Sequence, residues 1–136
     1  MHIGAHLAQL AAARAERVAI VDDAGRWSFQ SFYARLVRFG NAMRGLGLQS
    51  GDRIALLLPD IREYLEVDYG TMAAGLVRVP LDPRLTRSEL VNLLRFAGVR
   101  VLVTHASFAD RVDRLTEEVE VLQWIVFVGN GPGLAY

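Results

Sequence analysis

Apolar and polar residues recur along this chain with two different periods, and together they predict an α/β fold. Short, dense apolar runs over 53–58, 76–81, 99–104 and 122–128 are typical of strands that are buried on both faces. The segments between them place an apolar residue every three or four positions, which predicts helices. From residue 53 the order is therefore β-α-β-α-β-α-β, which implies a mostly parallel sheet flanked by helices and joined by right-handed crossovers.

The part of the chain before residue 51 predicts a different arrangement. Residues 3–15 have the spacing of an amphipathic helix. Two short apolar segments, 18–21 and 27–29, flank the turn sequence Asp22-Asp23-Ala24-Gly25, so we expect a small antiparallel hairpin. Ser28 is suited to cap the N-terminus of a long helix that follows the hairpin.

Start and stop signals set the remaining helices. Pro59 ends the first buried strand, and a helix is expected over 60–74. Thr86 begins a capping box for a helix that ends before Gly98, and a further helix is expected over 107–118 with its own capping signature at Ser107. The helix expected over 60–74 carries three acidic residues that are expected on a solvated face: Asp60, Glu63 and Glu66.

Composition narrows the function classes. The chain has 136 residues, 52% of them apolar, and a formal net charge of zero, so we expect one domain over 1–128 with a loop at 129–136 and no nucleic-acid partner. Cysteine is absent, which excludes a disulfide or a thiolate nucleophile. No apolar run approaches the roughly 20 residues of a membrane span, and a cytoplasmic location is expected. All fifteen basic residues are arginine.

Three short motifs invite a catalytic or metal-binding interpretation, and each lacks a necessary part. The run Gly129-x-Gly131-x-Gly133 has Leu134 where a dinucleotide fingerprint needs a third small residue. Asp22-Asp23 resembles the phospho-acceptor site of receiver domains, but that family uses a lysine as the basic partner of the phosphoryl group and this chain has none, so the pair is better explained as a turn. His2 and His6 stand four residues apart without an evident third metal ligand. We therefore assign no catalytic and no metal site from the residues alone.

The order of several sequence segments resembles the beginning of the adenylate-forming synthetases, the family of acyl-CoA synthetases, peptide-synthetase adenylation domains and luciferases. The similarity runs from about residue 3 to residue 128 and is most like acyl-CoA synthetases and fatty-acid–CoA ligases. The segments that carry it are Trp27-Ser28-Phe29, Gly51–Pro59, Glu63-Tyr64-Leu65, Met72–Pro83, Thr86 with Glu89-Leu90, and Val101-Leu102-Val103.

Membership would imply activation of a carboxylic acid, expected to be a fatty acid, by ATP and Mg²⁺ to an acyl-adenylate, followed by transfer to coenzyme A. The family places its phosphate-binding loop just after the matched region and its catalytic lysine on a mobile C-terminal domain. The chain contains no such Ser/Thr/Gly-rich loop and no lysine. The resemblance thus implies the N-terminal part of a ligase that is inert and cofactor-free by itself. The alternative is a standalone, non-catalytic binding or scaffolding module with the same fold.

The resemblance also implies two places that could contact the nucleotide end of coenzyme A. One is the loop Asp82-Pro83-Arg84, and the other is the pair Arg111 and Arg114, which one turn of the expected helix 107–118 would place on one face. The alternative for the arginine pair is an ordinary solvated helix surface on which both residues pair with neighbouring carboxylates.

The last apolar run also predicts self-association. A parallel sheet normally has both faces covered, and Trp124, Ile125 and Phe127 lie in a strand after which no further helix is evident. Because the formal net charge is zero, little electrostatic repulsion opposes contact between copies. We therefore expect a homodimer.

Overall fold

The computed structural model describes residues 2–129. The helices are α1 (Ile3–Ala13), α2 (Phe29–Gly45), α3 (Arg62–Ala73), α4 (Arg87–Ala97), α5 (Ala109–Val112) and α6 (Leu115–Glu118). The strands are β1 (Val18–Asp22), β2 (Gly25–Ser28), β3 (Arg53–Leu57), β4 (Val77–Pro80), β5 (Val99–His105) and β6 (Trp124–Val128). A 3₁₀ turn, Ala106–Phe108, joins β5 to α5. None of the helices in this part of the chain is both long and apolar enough to cross a bilayer.

A four-stranded parallel sheet forms the centre of the molecule, with its strands in the order β4-β3-β5-β6. Arg53 aligns with Val77, which confirms the predicted parallel pairing of the first two buried runs. The hairpin is also confirmed, because β1 and β2 pair antiparallel and Val21 lies opposite Arg26. The predicted fold class, a mostly parallel sheet with an N-terminal helix and a small hairpin, is therefore correct.

Helices cover both faces of the sheet, as the βαβ pattern requires. On one face, α2 and α3 bury the strand residues Ile54, Leu56, Val101, Val103 and Val126 beneath Phe39, Met43 and Val67. On the other face, α4 to α6 bury Ala55, Leu57, Leu102 and Phe127 beneath Leu90, Leu94, Val112 and Leu115. The alternation of β3 and β5 side chains between these two clusters explains why both strands appear uniformly apolar in the sequence.

The helix ends follow the sequence signals closely. Ser28 accepts a hydrogen bond from the Ser31 amide and caps α2. Thr86 and Glu89 form the predicted capping box at the start of α4. Gly98 ends α4 in the left-handed conformation, with φ of 61°. These local hydrogen bonds satisfy helix-end backbone groups without help from distant residues, which is why they could be predicted.

The predicted helix over 107–118 is wrong, because the chain breaks between α5 and α6. Arg114 adopts the left-handed conformation, with φ of 56°. Arg87, from α4, donates hydrogen bonds to the carbonyl oxygens of Arg111 and Asp113 at 3.0 and 2.7 Å. A continuous helix would use those two carbonyls for its own hydrogen bonds, so Arg87 stabilises the break. The predicted Ser107 cap is also wrong: the Ser107 amide instead donates to Nδ1 of His105 at 3.1 Å.

Two further expectations need correction. The helix expected over 60–74 is present but begins two residues later, at Arg62, because Ile61 is still extended, with φ of −128° and ψ of 162°. In β6, Phe127 is only 5% exposed because it packs in the cluster beneath α4 to α6, whereas Trp124 is 40% exposed. The apolar surface expected along this strand is therefore restricted mainly to its beginning.

Candidate functional site

The carboxyl ends of the parallel strands meet at one edge of the sheet, which we call the carboxyl edge. Asp60 follows β3, Asp82 follows β4, His105 ends β5 and Gly129 follows β6. The chain leaves β3 toward the α2–α3 face and leaves β5 toward the opposite face. A crevice at such a switch between faces is where open α/β sheets bind ligands. The carboxyl edge is therefore the candidate site.

The loop Asp82-Pro83-Arg84 lies at this edge in a turn closed by its own aspartate. Oδ1 of Asp82 accepts hydrogen bonds from the amide and Nε of Arg84 at 2.8 and 3.0 Å, and Oδ2 accepts one from Nη2 at 2.7 Å. The hydrogen bond from the Arg84 side chain is the main reason that the pKa of Asp82 is lowered to about 2. The Arg84 side chain is 89% exposed, so an incoming anion can reach its guanidinium and compete with Asp82 for it.

Arg111 lies beside this loop and donates hydrogen bonds to two of its carbonyl oxygens. Its Nη1 donates to the carbonyl oxygen of Pro83, and its Nη2 donates to that of Leu85. The guanidinium carbon lies 5.5 Å from the ring centre of Phe108. Arg111 thus joins α5 to the loop after β4, two segments that are distant in the sequence.

Arg114 does not share a surface with Arg111 in the way that the sequence suggested. Because the helix breaks at Arg114, the two side chains are not stacked on one helical face. The Arg114 side chain is 72% exposed, and its Nε lies 3.8 Å from Oε1 of Glu117. The structure therefore brings Pro83 and Arg111 together, while Arg114 projects separately next to a carboxylate.

Arg87 is a component of this site that sequence reasoning missed. Besides its two backbone acceptors, its Nε donates to Oε1 of Glu118 at 3.1 Å. Arg87 is the first residue of α4, where the helix dipole disfavours a positive charge. That local mismatch is the one sequence signal that could have indicated a tertiary role for this arginine.

A second polar cluster, which we call the Glu66 network, joins α2, α3 and the hairpin. Glu66 is only 2% exposed, so its predicted place on a solvated face is wrong. Its carboxylate accepts from Nη2 of Arg35 at 2.9 Å and from Nε of Arg62 at 3.1 Å. The Arg62 guanidinium also lies 3.8 Å from the ring centre of Trp27 and 3.7 Å from Oδ2 of Asp22. The two arginines compensate the charge of the buried Glu66 carboxylate.

The remaining motifs receive simpler explanations. Oδ1 of Asp22 accepts from the amides of Ala24 and Gly25, which confirms the turn interpretation, and the hydrogen bond from the Trp27 indole is the main cause of its lowered pKa. Nδ1 of His2 accepts from the Gly4 amide at 3.2 Å and caps α1. Across residues 2–129, no group of three or more histidine or acidic side chains has metal-binding geometry. The glycine run at 129–133 lies almost wholly outside the described residues.

Comparison with known proteins connects this architecture to one family. The family model described as AMP-binding enzyme matches residues 7–134. The chain is 30% identical to a long-chain-fatty-acid–CoA ligase of Salmonella typhimurium over 92 residues, which are 68% of this chain and 16% of that protein. It is 32% identical to the mitochondrial acyl-coenzyme A synthetase ACSM5 of Homo sapiens over 106 residues, which are 77% of this chain and 18% of that protein.

A solved structure gives the same result for the fold. The Mycobacterium tuberculosis fatty acyl CoA synthetase superimposes with a TM-score of 0.87 and 26% identity, over 93% of this chain and 26% of that one. The chain therefore spans less than a fifth of the two curated relatives and about a quarter of this structural neighbour. The family match over 7–134, the ligase relatives and the shared fold place this chain in the AMP-binding enzyme family, as a segment like that of an acyl-CoA ligase.

Proposed function

We propose that residues 1–128 are the N-terminal subdomain of an acyl-CoA ligase and that 129–136 form a connecting loop. The whole enzyme would activate a carboxylic acid, of the fatty acid class, with ATP and Mg²⁺ and transfer the acyl group to coenzyme A in the cytoplasm. The observation that carries this proposal is the AMP-binding enzyme match over residues 7–134. The names of the ligase relatives support the class of acid and the thiol acceptor.

Within that enzyme, this subdomain would supply a coenzyme A contact at the carboxyl edge. The residues of this contact site are Asp82, Pro83, Arg84 and Arg114, together with Arg111, which adjoins the loop. Arg84 and Arg114 are largely exposed, and guanidinium groups bind phosphate through paired hydrogen bonds. Both arginines now face carboxylates, Asp82 and Glu117, so phosphate binding would exchange one anionic partner for another.

The first prediction is that this polypeptide alone catalyses no ATP–pyrophosphate exchange with any carboxylic acid. The family carries out adenylation with a phosphate-binding loop and a catalytic lysine that stabilise the developing charge, and this chain has neither that loop nor a lysine. The measurement is isotope exchange with a panel of fatty and aromatic acids, and a complete ligase of the family serves as the positive control. Exchange above a buffer blank that is lost in Arg111→Ala or Arg114→Ala would contradict the prediction.

The coding sequence beyond Tyr136 tests the ligase proposal itself. A Ser/Thr/Gly-rich phosphate-binding loop encoded within the next few dozen codons would support it, because such a loop cradles the phosphates of the nucleotide. A stop codon directly after Tyr136 would argue against it and would favour a non-catalytic binding or scaffolding module with the ligase-like fold.

The second prediction is that this chain dimerises through β6. Within residues 2–129, β6 has a single neighbouring strand, β5, and the segment from Trp124 to Val128 carries no charge or proline to block edge pairing. Trp124 and Val121, at the beginning of this edge, are 40% and 46% exposed. Light scattering over a roughly tenfold dilution should show the apparent mass falling toward that of the monomer.

A substitution that introduces a charge in β6 tests whether the dimer forms through this strand. Trp124→Glu should give a monomer at every concentration, because the substitution places a charge on the exposed edge. Phe96→Glu on α4, where Phe96 is 92% exposed, is the control and should leave the dimer intact. A wild-type chain that stays monomeric at the highest concentration would rule out the dimer.

A further inference from the structure

We infer that Arg111 is a positioning residue: it holds the loop 82–85 in the conformation that presents Arg84 and does not itself bind the anionic ligand. This inference rests on the proposed coenzyme A contact for its role in function. The inference gives different roles to Arg84 and Arg111, which the sequence resemblance treats alike as contacts of coenzyme A. Arg84 is assigned to the ligand and Arg111 to the loop.

The contacts of Arg111 show why its guanidinium is committed to the protein. Both terminal nitrogens donate to backbone carbonyls, those of Pro83 and Leu85. These acceptors lie on one short loop, so the planar fork of the guanidinium fixes their relative orientation. Phe108 lies beside the same group at 5.5 Å. A phosphate could take these N–H groups only if the loop were released.

The backbone that carries Arg111 is fixed as well. Its own carbonyl oxygen accepts from Nη1 of Arg87 at 3.0 Å, and that of Asp113 accepts from Nη2 at 2.7 Å. Arg87 belongs to the helix that begins directly after the loop, at the capping residue Thr86. The loop and the α5–α6 segment therefore hold each other through two arginines that donate in opposite directions.

The loop is also fixed at its beginning, which leaves Arg84 at its exposed tip. The Leu81 amide donates to the Leu56 carbonyl at 2.9 Å and anchors the loop to β3. Within the loop, the Leu85 amide donates to the Asp82 carbonyl at 3.1 Å. Arg84 contributes no contact that holds this frame except its pair with Asp82. An anion can replace Asp82 at Arg84 while the loop keeps its shape.

The experiment combines amide hydrogen exchange with titration of coenzyme A into the intact chain. Arg111→Ala should speed exchange of the Leu85 amide about tenfold or more and should weaken coenzyme A binding. Arg84→Ala should weaken binding by a similar factor, about tenfold, which corresponds to the loss of a charged hydrogen bond, and should leave Leu85 exchange unchanged. Asp82→Asn, which keeps the turn acceptor and removes the competing charge, should strengthen binding.

The double variant distinguishes positioning from direct contact. If Arg111 acts through Arg84, the effect of Arg111→Ala on binding disappears in the Arg84→Ala background, whereas two direct contacts would give additive losses. Arg111→Lys is a second variant that keeps the charge and removes the fork, and it should still loosen the loop and weaken binding. Additive losses, or full binding by Arg111→Lys, would overturn the inference.

Failure of the proposed function would appear in the binding measurement, whereas failure of the positioning role would appear in the hydrogen exchange. A wild-type chain that binds no coenzyme A at millimolar concentration would count against the proposed contact. Hydrogen exchange would still decide the role of Arg111 in the loop, because that measurement needs no ligand. Unchanged exchange of the Leu85 amide in both Arg111 variants would overturn the positioning role.

Discussion

Replacing Glu66 by alanine is expected to lower the free energy of unfolding by about 3–5 kcal/mol, because it removes the shared partner of two arginines from a buried network. Glu66 is 2% exposed and accepts hydrogen bonds from Arg35 of α2 and Arg62 of α3. Without that carboxylate, the mostly buried Arg62 would lose its buried partner and would lie near the positive charge of Arg35, whose side chain is 35% exposed. Urea denaturation followed by circular dichroism measures the change.

Glu63→Ala is the matched control for this variant. Glu63 contacts the same Arg62 at 2.8 Å, but its side chain is 25% exposed. Since ion pairs that solvent reaches contribute little, we expect a loss of less than about 1 kcal/mol. Equal losses for the two variants would show that burial of Glu66 does not matter and would contradict the prediction.

The Glu66 network links the periphery of the molecule to the candidate site. Arg62 is the first residue of α3, which starts just after the carboxyl end of β3, and it also contacts Trp27 and Asp22 of the hairpin. The hairpin is therefore anchored near the carboxyl edge, where the switch in topology favours ligand binding. We expect Glu66→Ala to loosen the hairpin first, since it depends on this arginine for its polar contacts with α3.

The parts of the fold that the sequence predicted correctly are those that depend on local or repetitive signals. Uniformly apolar strands predict a sheet that is covered on both faces. The Thr86–Glu89 capping box and Gly98 mark helix ends through contacts within a few residues. The Asp82 turn is equally local, because its carboxylate binds the amide two residues later. Such features need no knowledge of the remaining chain.

Three of the errors have a long-range origin. The helix break at Arg114 follows from hydrogen bonds donated by Arg87, which precedes Asp113 by 26 residues. Burial of Glu66 requires Arg35, 31 residues earlier, and no periodicity within α3 reveals that partner. The candidate site was affected in the same way: the sequence placed Arg111 beside Arg114, and the structure places it against Pro83. Long-range contacts by arginine decided each case.

The largest apolar effect is expected from Phe39→Ala, which should destabilise the chain by about 3–5 kcal/mol. Phe39 is fully buried between α2, α3 and the sheet, in the cluster that contains Met43 and Val67. Truncation removes a ring from a site where α3 cannot easily move inward, since α3 is held by its crossover to β4 and by the Glu66 network. Thermal and urea unfolding at neutral pH both measure this loss.

Gly70 shows that this site is tightly packed and provides a test of the mechanism. A Cβ at Gly70 would lie 2.9 Å from Cδ1 of Phe39, so Gly70→Ala alone should cost about 1–3 kcal/mol through overpacking. In the Phe39→Ala background the same methyl group enters the vacated space, and its cost should vanish or reverse. Gly45→Ala, where the added atom meets nothing within 4 Å, is the control and should be neutral or slightly stabilising. Additive losses for Phe39→Ala and Gly70→Ala would show that the two positions do not share a cavity.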